Sequence, residues 1–417
     1  MGVGATIGAG ILRTPGDIAA RLPDARWIVG VWVAGALYSV VGAGIFSELG
    51  TAIPRSGGMY VFSRRALGGF AGFLVGYTDW VDICAANAAL AIVVGEYSAV
   101  LFPALLGREM LVALVTMLGL AALNWRGVRW GDRIQQGTTF LKTLAFVALI
   151  AACFLIHPAA IPARVPPPFP GGWRLGAALL LVMQGVIFTY DCYYYVVYSS
   201  EELRDPGRAI PRAVFASVGL IAAIYLLLNL AFLRVVPVGT MAGDTFVGGT
   251  AARAVFGALG DAGIRLLVIV SILGTINAYM LAGPRVLLTM ARDGLVSHRT
   301  LAVNAGGTPT AALLLSAVVS LAFLLTKTFD RALAIISFFI VFNYGLSFIS
   351  LIVLRRREPD LPRPYRAWGY PWTAGVAVGG AVLFLGAALM SDTTNSLIAL
   401  GVIAASYPAY RLARSGG

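Results

Sequence analysis

Apolar residues run along this chain in stretches of about twenty, the length at which an α-helix crosses a hydrocarbon core of ~30 Å, and short polar loops separate them. Twelve such stretches can be marked, at 1–22, 27–52, 66–102, 109–124, 136–157, 175–200, 211–235, 262–293, 309–326, 330–354, 372–390 and 394–411. They are too long and too continuously apolar for the ~10-residue alternating segments of a membrane β-barrel. Several exceed the minimum, which predicts tilt or overhang. The pattern therefore predicts an all-α integral membrane protein with 12 transmembrane helices in one unit, because no linker is long or polar enough to set off a soluble domain.

Composition sharpens that reading. Of 417 residues 59% are hydrophobic and 12% charged, outside the range of soluble domains. The net charge of +12 would suit a nucleic-acid partner, but its placement excludes one. If the loop after the first span lies outside, nineteen basic residues fall in inner loops and ten in outer loops, with Arg13 and Lys142 inside spans. The positive-inside rule then puts both termini on the cytoplasmic side of the cell membrane. Cys84, Cys153 and Cys192 lie within apolar runs at no metal-ligand spacing. No cleavable signal peptide is visible. His157 and His298 are the only histidines, both near span ends, and no Ser, His and Asp set appears at membrane depth. An enzyme is not expected, and neither is a cofactor.

Two stretches break the apolar pattern. The first span carries "IGAGILRTPG" from Ile7 to Gly16. This is either a glycine-rich packing face or an interrupted helix, which survives in lipid only where it lines a polar cavity. An interruption exposes the positive N-terminal end of a half-helix, where amides around Gly8, Ala9 and Gly10 can hold a carboxylate. The sixth span carries Asp191 at its middle, followed by Tyr193, Tyr194 and Tyr195. An ionisable group at that depth is a functional-site candidate by default. The separation of the two stretches suits a five-plus-five inverted repeat: 1–157 as first repeat, 175–355 as second, and 372–411 as two added C-terminal helices.

Several segments carry a family resemblance. "TIGAGILRTPG" from Thr6, "PRSGGMYVFSRRALGGFAGFLVGYTDW" from Pro54, "FTYDCYYYVVYSSEELRDPGRAIPRA" from Phe188, "NAYMLAGPRVLLTMARDG" from Asn277 and "LRRREPDLPRPYRAWGYP" from Leu354 resemble the amino acid, polyamine and organocation transporter superfamily. Within it they are most similar to the L-type amino acid transporter branch and its bacterial relatives. The resemblance implies a leucine-transporter-like fold and a secondary active transporter, symporter or antiporter, working by alternating access. It implies an α-amino acid held between the broken first and sixth helices and flanked by the third and eighth. The carboxylate is then expected at Ile7, Gly8, Ala9 and Gly10, and the amine against carbonyls near Ile187, Phe188 and Tyr190, with Phe188 closing over the substrate. Where the family often reads Tyr-Asp-Gly-Trp, this chain has Tyr190, Asp191, Cys192 and Tyr193, two changes expected to alter the floor of the side-chain pocket.

Charged groups within spans complete the candidate set. Asp79, Asp82, Ala86 and Asn87 stand at i, i+3, i+7 and i+8, hence on one helical face, which must look into the bundle. Asp82 is expected either to take part in proton coupling, to contact a basic side chain on the substrate, or to make a structural hydrogen bond. Lys142 lies deep in the fifth span. Relatives carry a lysine there, and the resemblance implies that its ammonium takes the place of a sodium ion, near the first-helix break and the eighth helix. It either exchanges a proton during transport or stays charged as a strut. Glu48 and Glu96 are read as solvated or interfacial. Arg13 is expected either to snorkel or to gate against Asp17. Glu201, Glu202, Arg204, Asp205, Arg208 and Arg212 form either an inner-gate network or a solvated loop.

The expected partners are an α-amino acid, the lipid bilayer and, for a symporter, protons. A monomer is expected. No covalently linked partner is expected, since the loop "FPALLGRE" lacks the cysteine that some animal relatives use. Rings, small residues and one nearby acid rank neutral aliphatic or aromatic amino acids first as substrates and cationic ones or polyamines second. A non-transporting sensor of the same fold is the remaining alternative. The first span opens at Met1, only six residues before Ile7, so the natural protein is expected to extend further upstream.

Overall fold

The structure, a computed structural model, describes residues 10–55, 57–126, 131–304, 308–325 and 329–415. It begins with α1 (Gly10–Arg21), α2 (Ala25–Ala52), the short α3 (Met59–Leu67), α4 (Gly69–Leu101), α5 (Glu109–Arg126), α6 (Gly131–Leu155) and α7 (Trp173–Tyr190). A 3₁₀ segment, Tyr195–Glu202, leads to α8 (Pro206–Val235), the short α9 (Val238–Met241) and α10 (Val247–Phe256), and then α11 (Ala258–Arg292). The chain closes with α12 (Thr310–Leu324), α13 (Phe329–Arg357), α14 (Trp372–Ser391) and α15 (Thr393–Ser415). Among the described residues the only β-type pairing is an isolated bridge between Val303 and Pro309. Among the described residues eight helices (α2, α4, α5, α7, α8, α11, α13 and α14) are long and apolar enough to cross a membrane, and α6 and α12 contain shorter apolar helices. The chain is a multi-pass membrane protein.

From residue 27 on, the apolar stretches marked in the sequence overlap these helices, with two differences at their ends. The seventh begins at Pro206 rather than 211, because Asp205 caps it: its carboxylate accepts from Arg208 N at 3.3 Å, and Pro206 needs no amide partner in the first turn. The sixth does not run to 200 as α-helix. It stops at Tyr190.

Helix α4 is the axle of the bundle. In its most apolar stretch 89% of residues are buried within the protein, against 17% for α5 and 22% for α14, which face outward. Its polar side chains tie it to its neighbours. Thr78 donates to Asn343 Oδ1 on α13 at 2.7 Å, and Trp80 Nε1 donates to Ser316 on α12 at 2.8 Å. Most buried serines and threonines return their hydroxyl to a carbonyl one turn back, as Ser39, Ser316, Ser337 and Ser350 do, so they add no unmet polarity to an apolar span.

One end of the bundle is rich in arginine, and ion pairs fasten it. The sequence puts Glu48 in a solvated or interfacial role, but the structure buries it completely. Its carboxylate accepts from Arg355 Nε at 2.8 Å and from Ala367 N at 2.6 Å, and Arg363 Nε lies 3.2 Å away. This joins α2 to α13 and to the loop before α14. Asp293, just past α11, pairs with Arg64 of α3 and with Arg55 at 3.3 Å, and accepts from Tyr60 Oη at 2.9 Å. In contrast, Glu201, Arg204, Asp205, Arg208 and Arg212 are exposed, with a loose Arg208 to Asp205 pair at 3.9 Å, so these side chains are solvated. At the opposite end, Gly243 N donates to Gly16 O at 3.0 Å, drawing the loop after α9 onto α1.

Glu48→Gln removes the charge that answers two guanidinium groups in a buried setting. It is expected to destabilise the protein by about 3–5 kcal/mol, seen as a large fall in melting temperature in detergent. Burial pushes the Asp293 carboxyl up, but Arg64, Tyr60 and Arg55 outweigh it and hold the group below its ordinary value. The stability this gives is present above the ordinary carboxylate range and is lost as pH falls through the lowered value. Melting temperature recorded against pH below ~5 should therefore fall less steeply in Asp293→Asn than in wild type.

Candidate functional site

The end of α7 is where local sequence and packing disagree most. Thr189 returns its hydroxyl to Gly185 O at 2.6 Å, and Asp191 N reaches only three residues back, to Phe188 O at 3.3 Å, so the last turn tightens. Cys192 then takes φ +73°, the left-handed region that a side chain disfavours. This is the position where the resembled family carries glycine. The freed Thr189 carbonyl accepts from Tyr225 Oη of α8 at 3.1 Å. The Asp191 carboxylate accepts from Tyr344 Oη of α13 at 2.6 Å and from Cys192 Sγ at 3.2 Å. Cys192 Sγ also lies 3.0 Å from Tyr279 Oη of α11. Neighbouring tyrosines thus supply the partners that an interrupted helix loses.

The start of α1 meets this break. A Cβ on Gly10 would stand 2.6 Å from Thr189 Oγ1, so only glycine permits the approach. Thr14 and Thr189 hydroxyls face each other at 3.3 Å. Between the two helices lies a cavity of about 30 Å³ lined by Gly10 of α1, Asp82 and Ala86 of α4, Phe188, Asp191, Cys192 and Tyr195 of the sixth span, Thr275 and Tyr279 of α11, and Ile336 and Ile340 of α13.

Of the site residues read from the sequence, the structure therefore brings Gly10, Asp82, Phe188 and Asp191 to one cavity. Ile7, Gly8 and Ala9 lie outside the described residues. Ile187 lines a separate apolar groove with Trp173, Met183 and Phe384. Tyr190 turns away, donating to Trp32 O at 3.2 Å and packing on Tyr225. Asn87 is buried but does not line the cavity. Of the two departures from the family pattern, only Cys192 reaches the cavity, whereas Tyr193 packs against Phe46 and Tyr344. Lys142 is buried on α6, and its Nζ donates to Ser271 of α11, the eighth span, at 3.2 Å. Among the described residues no cluster of His, Cys, Asp and Glu could hold a metal ion.

Contact chains lead from the cavity toward both ends. On one side the Phe188 ring meets the Phe329 ring edge-on, centroids 6.0 Å apart. Arg13 lies 4.7 Å over Phe329 and pairs with Glu96 Oε2 at 2.6 Å. Arg13 is thus a buried ion-pair partner rather than a snorkelling side chain, and Glu96 is that partner as well as a partly exposed residue. On the other side Tyr195 packs on Tyr198, with centroids 5.1 Å apart, and Tyr198 Oη donates to both oxygens of Asp79 at 3.0 and 2.9 Å. The Tyr198 ring also fills the space where Gly58, at φ +68°, has no side chain. Gly58 opens α3, which carries the Tyr60 and Arg64 that hold Asp293. Nothing in the sequence marks Phe329 or Tyr198, since an aromatic in an apolar run gives no local sign of what it covers.

The chain matches the family model described as amino acid permease over residues 1–407, and it belongs to that family. It is 28% identical to the serine/threonine exchanger SteT of Bacillus subtilis, over 98% of this chain and 93% of that protein. It is also 28% identical to the human large neutral amino acids transporter small subunit 2, over 87% and 70%, and 25% identical to the human cystine/glutamate transporter, over 98% and 82%. Membership sets the chain among transporters rather than enzymes.

Replacing Cys192 separates backbone strain from thiol contacts. Both Cys192→Gly and Cys192→Ala remove the thiol, but only glycine relieves the left-handed backbone. Thermal unfolding in detergent should find the glycine variant the more stable of the two by about 1 kcal/mol.

Proposed function

We propose that this protein is a secondary active transporter that moves α-amino acids across the cell membrane by alternating access, as a proton-coupled symporter or an exchanger. The single observation that carries the reading is the interruption of the sixth span at 191–194 beside the start of α1, with a cavity between them. A zwitterion needs donors at one end and acceptors at the other, and two half-helix ends supply both without a buried full charge. In this reading the amides of Gly8, Ala9 and Gly10 receive the carboxylate, and sixth-span carbonyls near Phe188 receive the amine. The substrate enters a cavity narrower than itself, so binding displaces lining side chains, Phe188 first. Release of Phe329, Arg13 and Glu96 opens one side, and release of Tyr198 from Asp79 together with Asp293 from Arg64 opens the other.

The reading extends to architecture and coupling. In this reading the helices form two inverted five-helix repeats of a leucine-transporter-like fold, with both termini cytoplasmic and a monomer as the working unit. Lys142 holds α6 to α11 through Ser271, and its protonation state is the candidate coupling element.

Uptake of a panel of radiolabelled amino acids into proteoliposomes tests this. Saturable, stereospecific flux is expected, with a rate that depends on an imposed pH gradient for a symporter or on a preloaded amino acid for an exchanger. Lys142→Ala should lower that flux at least about tenfold while leaving the protein folded. A folded protein with no flux for any amino acid under either drive would make it a sensor of the same fold.

A further inference from the structure

Three carboxylates stand in or beside the cavity, and their hydrogen bonds set them apart. Asp79 receives the Tyr198 hydroxyl on both oxygens. Asp191 receives Tyr344 Oη and Cys192 Sγ. Asp82, just under one turn further along α4, lines the cavity, and its Oδ1 is buried with no hydrogen-bond partner among the described residues. A carboxylate oxygen without a donor carries the full cost of lost hydration, and a site arranged that way favours whatever brings a donor to it. No lysine or arginine is among the residues lining the cavity. Phe188, Tyr195 and Tyr279 line it as well, and their ring faces attract a cation at short range. A leucine side chain here would bury apolar surface but leave Asp82 unanswered. A hydroxyl would answer it with a neutral hydrogen bond, and an ammonium with a charge-assisted one.

We propose that Asp82 is the side-chain subsite of the cavity and selects amino acids whose side chain ends in a hydrogen-bond donor, a primary ammonium best, a hydroxyl next and an aliphatic group last. This rests on the amino acid transport reading above and reverses the order that the sequence alone suggests. The recognised chemistry is the donor. An ω-amino acid and a hydroxy amino acid are its two possible sources, and separate arms of one experiment distinguish them.

The experiment measures kcat/KM for uptake of radiolabelled ornithine, serine and leucine into proteoliposomes by wild type, Asp82→Asn and Asp82→Glu, with melting curves confirming that each variant is folded. Wild type is expected to prefer ornithine over leucine by at least about tenfold, with serine between them. Asp82→Asn should lower the ornithine to leucine ratio by about tenfold, and Asp82→Glu should largely keep the ratio. A wild-type preference for serine over ornithine would overturn the ammonium as best ligand. Wild-type preference for leucine, or a ratio that Asp82→Asn leaves within roughly twofold, would overturn the subsite itself. So would equal loss of all three fluxes in a folded Asp82→Asn, which would make the charge part of the transport cycle rather than of recognition. If wild type moves none of the three, the wider amino acid panel decides the transport reading separately. Ornithine-induced thermal stabilisation, present in wild type and absent in Asp82→Asn, then still decides the subsite.

Discussion

An amide or carbonyl without a partner costs several kcal/mol at membrane depth, and the rest of this structure is arranged around that constraint. Helices meet it by themselves. The interruption at 191–194 does not, and it persists because α8 and α13 lend it Tyr225 and Tyr344 while Cys192 accepts a disfavoured backbone conformation. Such a break is stable only where surrounding helices over-determine it, and they do so here with side chains from across the bundle. The cavity follows from the break, since a straight helix past Tyr190 would leave no recess beside Gly10.

The same reasoning orders the buried charges. A carboxylate taken out of water must find donors or cations, and each acid in the interior has found a different answer. Glu48 has two guanidinium groups and an amide, which makes it a fastener between α2, α13 and the loop before α14. Asp79 and Asp191 have phenol donors, which keep them at hand for the cavity without neutralising them. Asp82 alone of these has an oxygen waiting among the described residues, which is why chemistry from outside the protein is the natural completion of its shell.

The contacts on the two sides of the cavity differ in kind. Toward Glu96 the barrier is a stack of two rings and a guanidinium that pairs with Glu96, itself partly open to solvent. A pair of that sort is separable at modest cost, because water can take over the exposed partner. Toward the arginine-rich end, Tyr198 and Asp79 are followed by the Asp293 cluster, in which one carboxylate holds two arginines and a tyrosine. Several contacts must break together there. Glu48 lies outside both chains of contact.

How much of this was legible beforehand depends on the range of the physics involved. Apolar runs of span length, the excess of arginine in alternate loops, the glycines from Gly8 to Gly16 and an aspartate in the sixth span are local or periodic signals, and they specified the helices, the membrane setting and the neighbourhood of the site. Helix α7 ending at Tyr190 was readable only in part: Asp191 marked the place, but the left-handed Cys192 did not announce itself. What each acid does was not written in sequence at all. Glu48, near the end of a span, reads like a solvated residue until α13 brings Arg355 against it, and Arg13 reads like a snorkelling one until α4 presents Glu96. Asp79 and Asp82 share one helical face and differ only because Tyr198 happens to reach the first. Sequence alone determined which residues would be helical and immersed, because those preferences are settled within a turn or two of the chain. Tertiary structure alone decided which buried charge is answered and which is left open, because most of the answering groups come from helices 83 or more residues away.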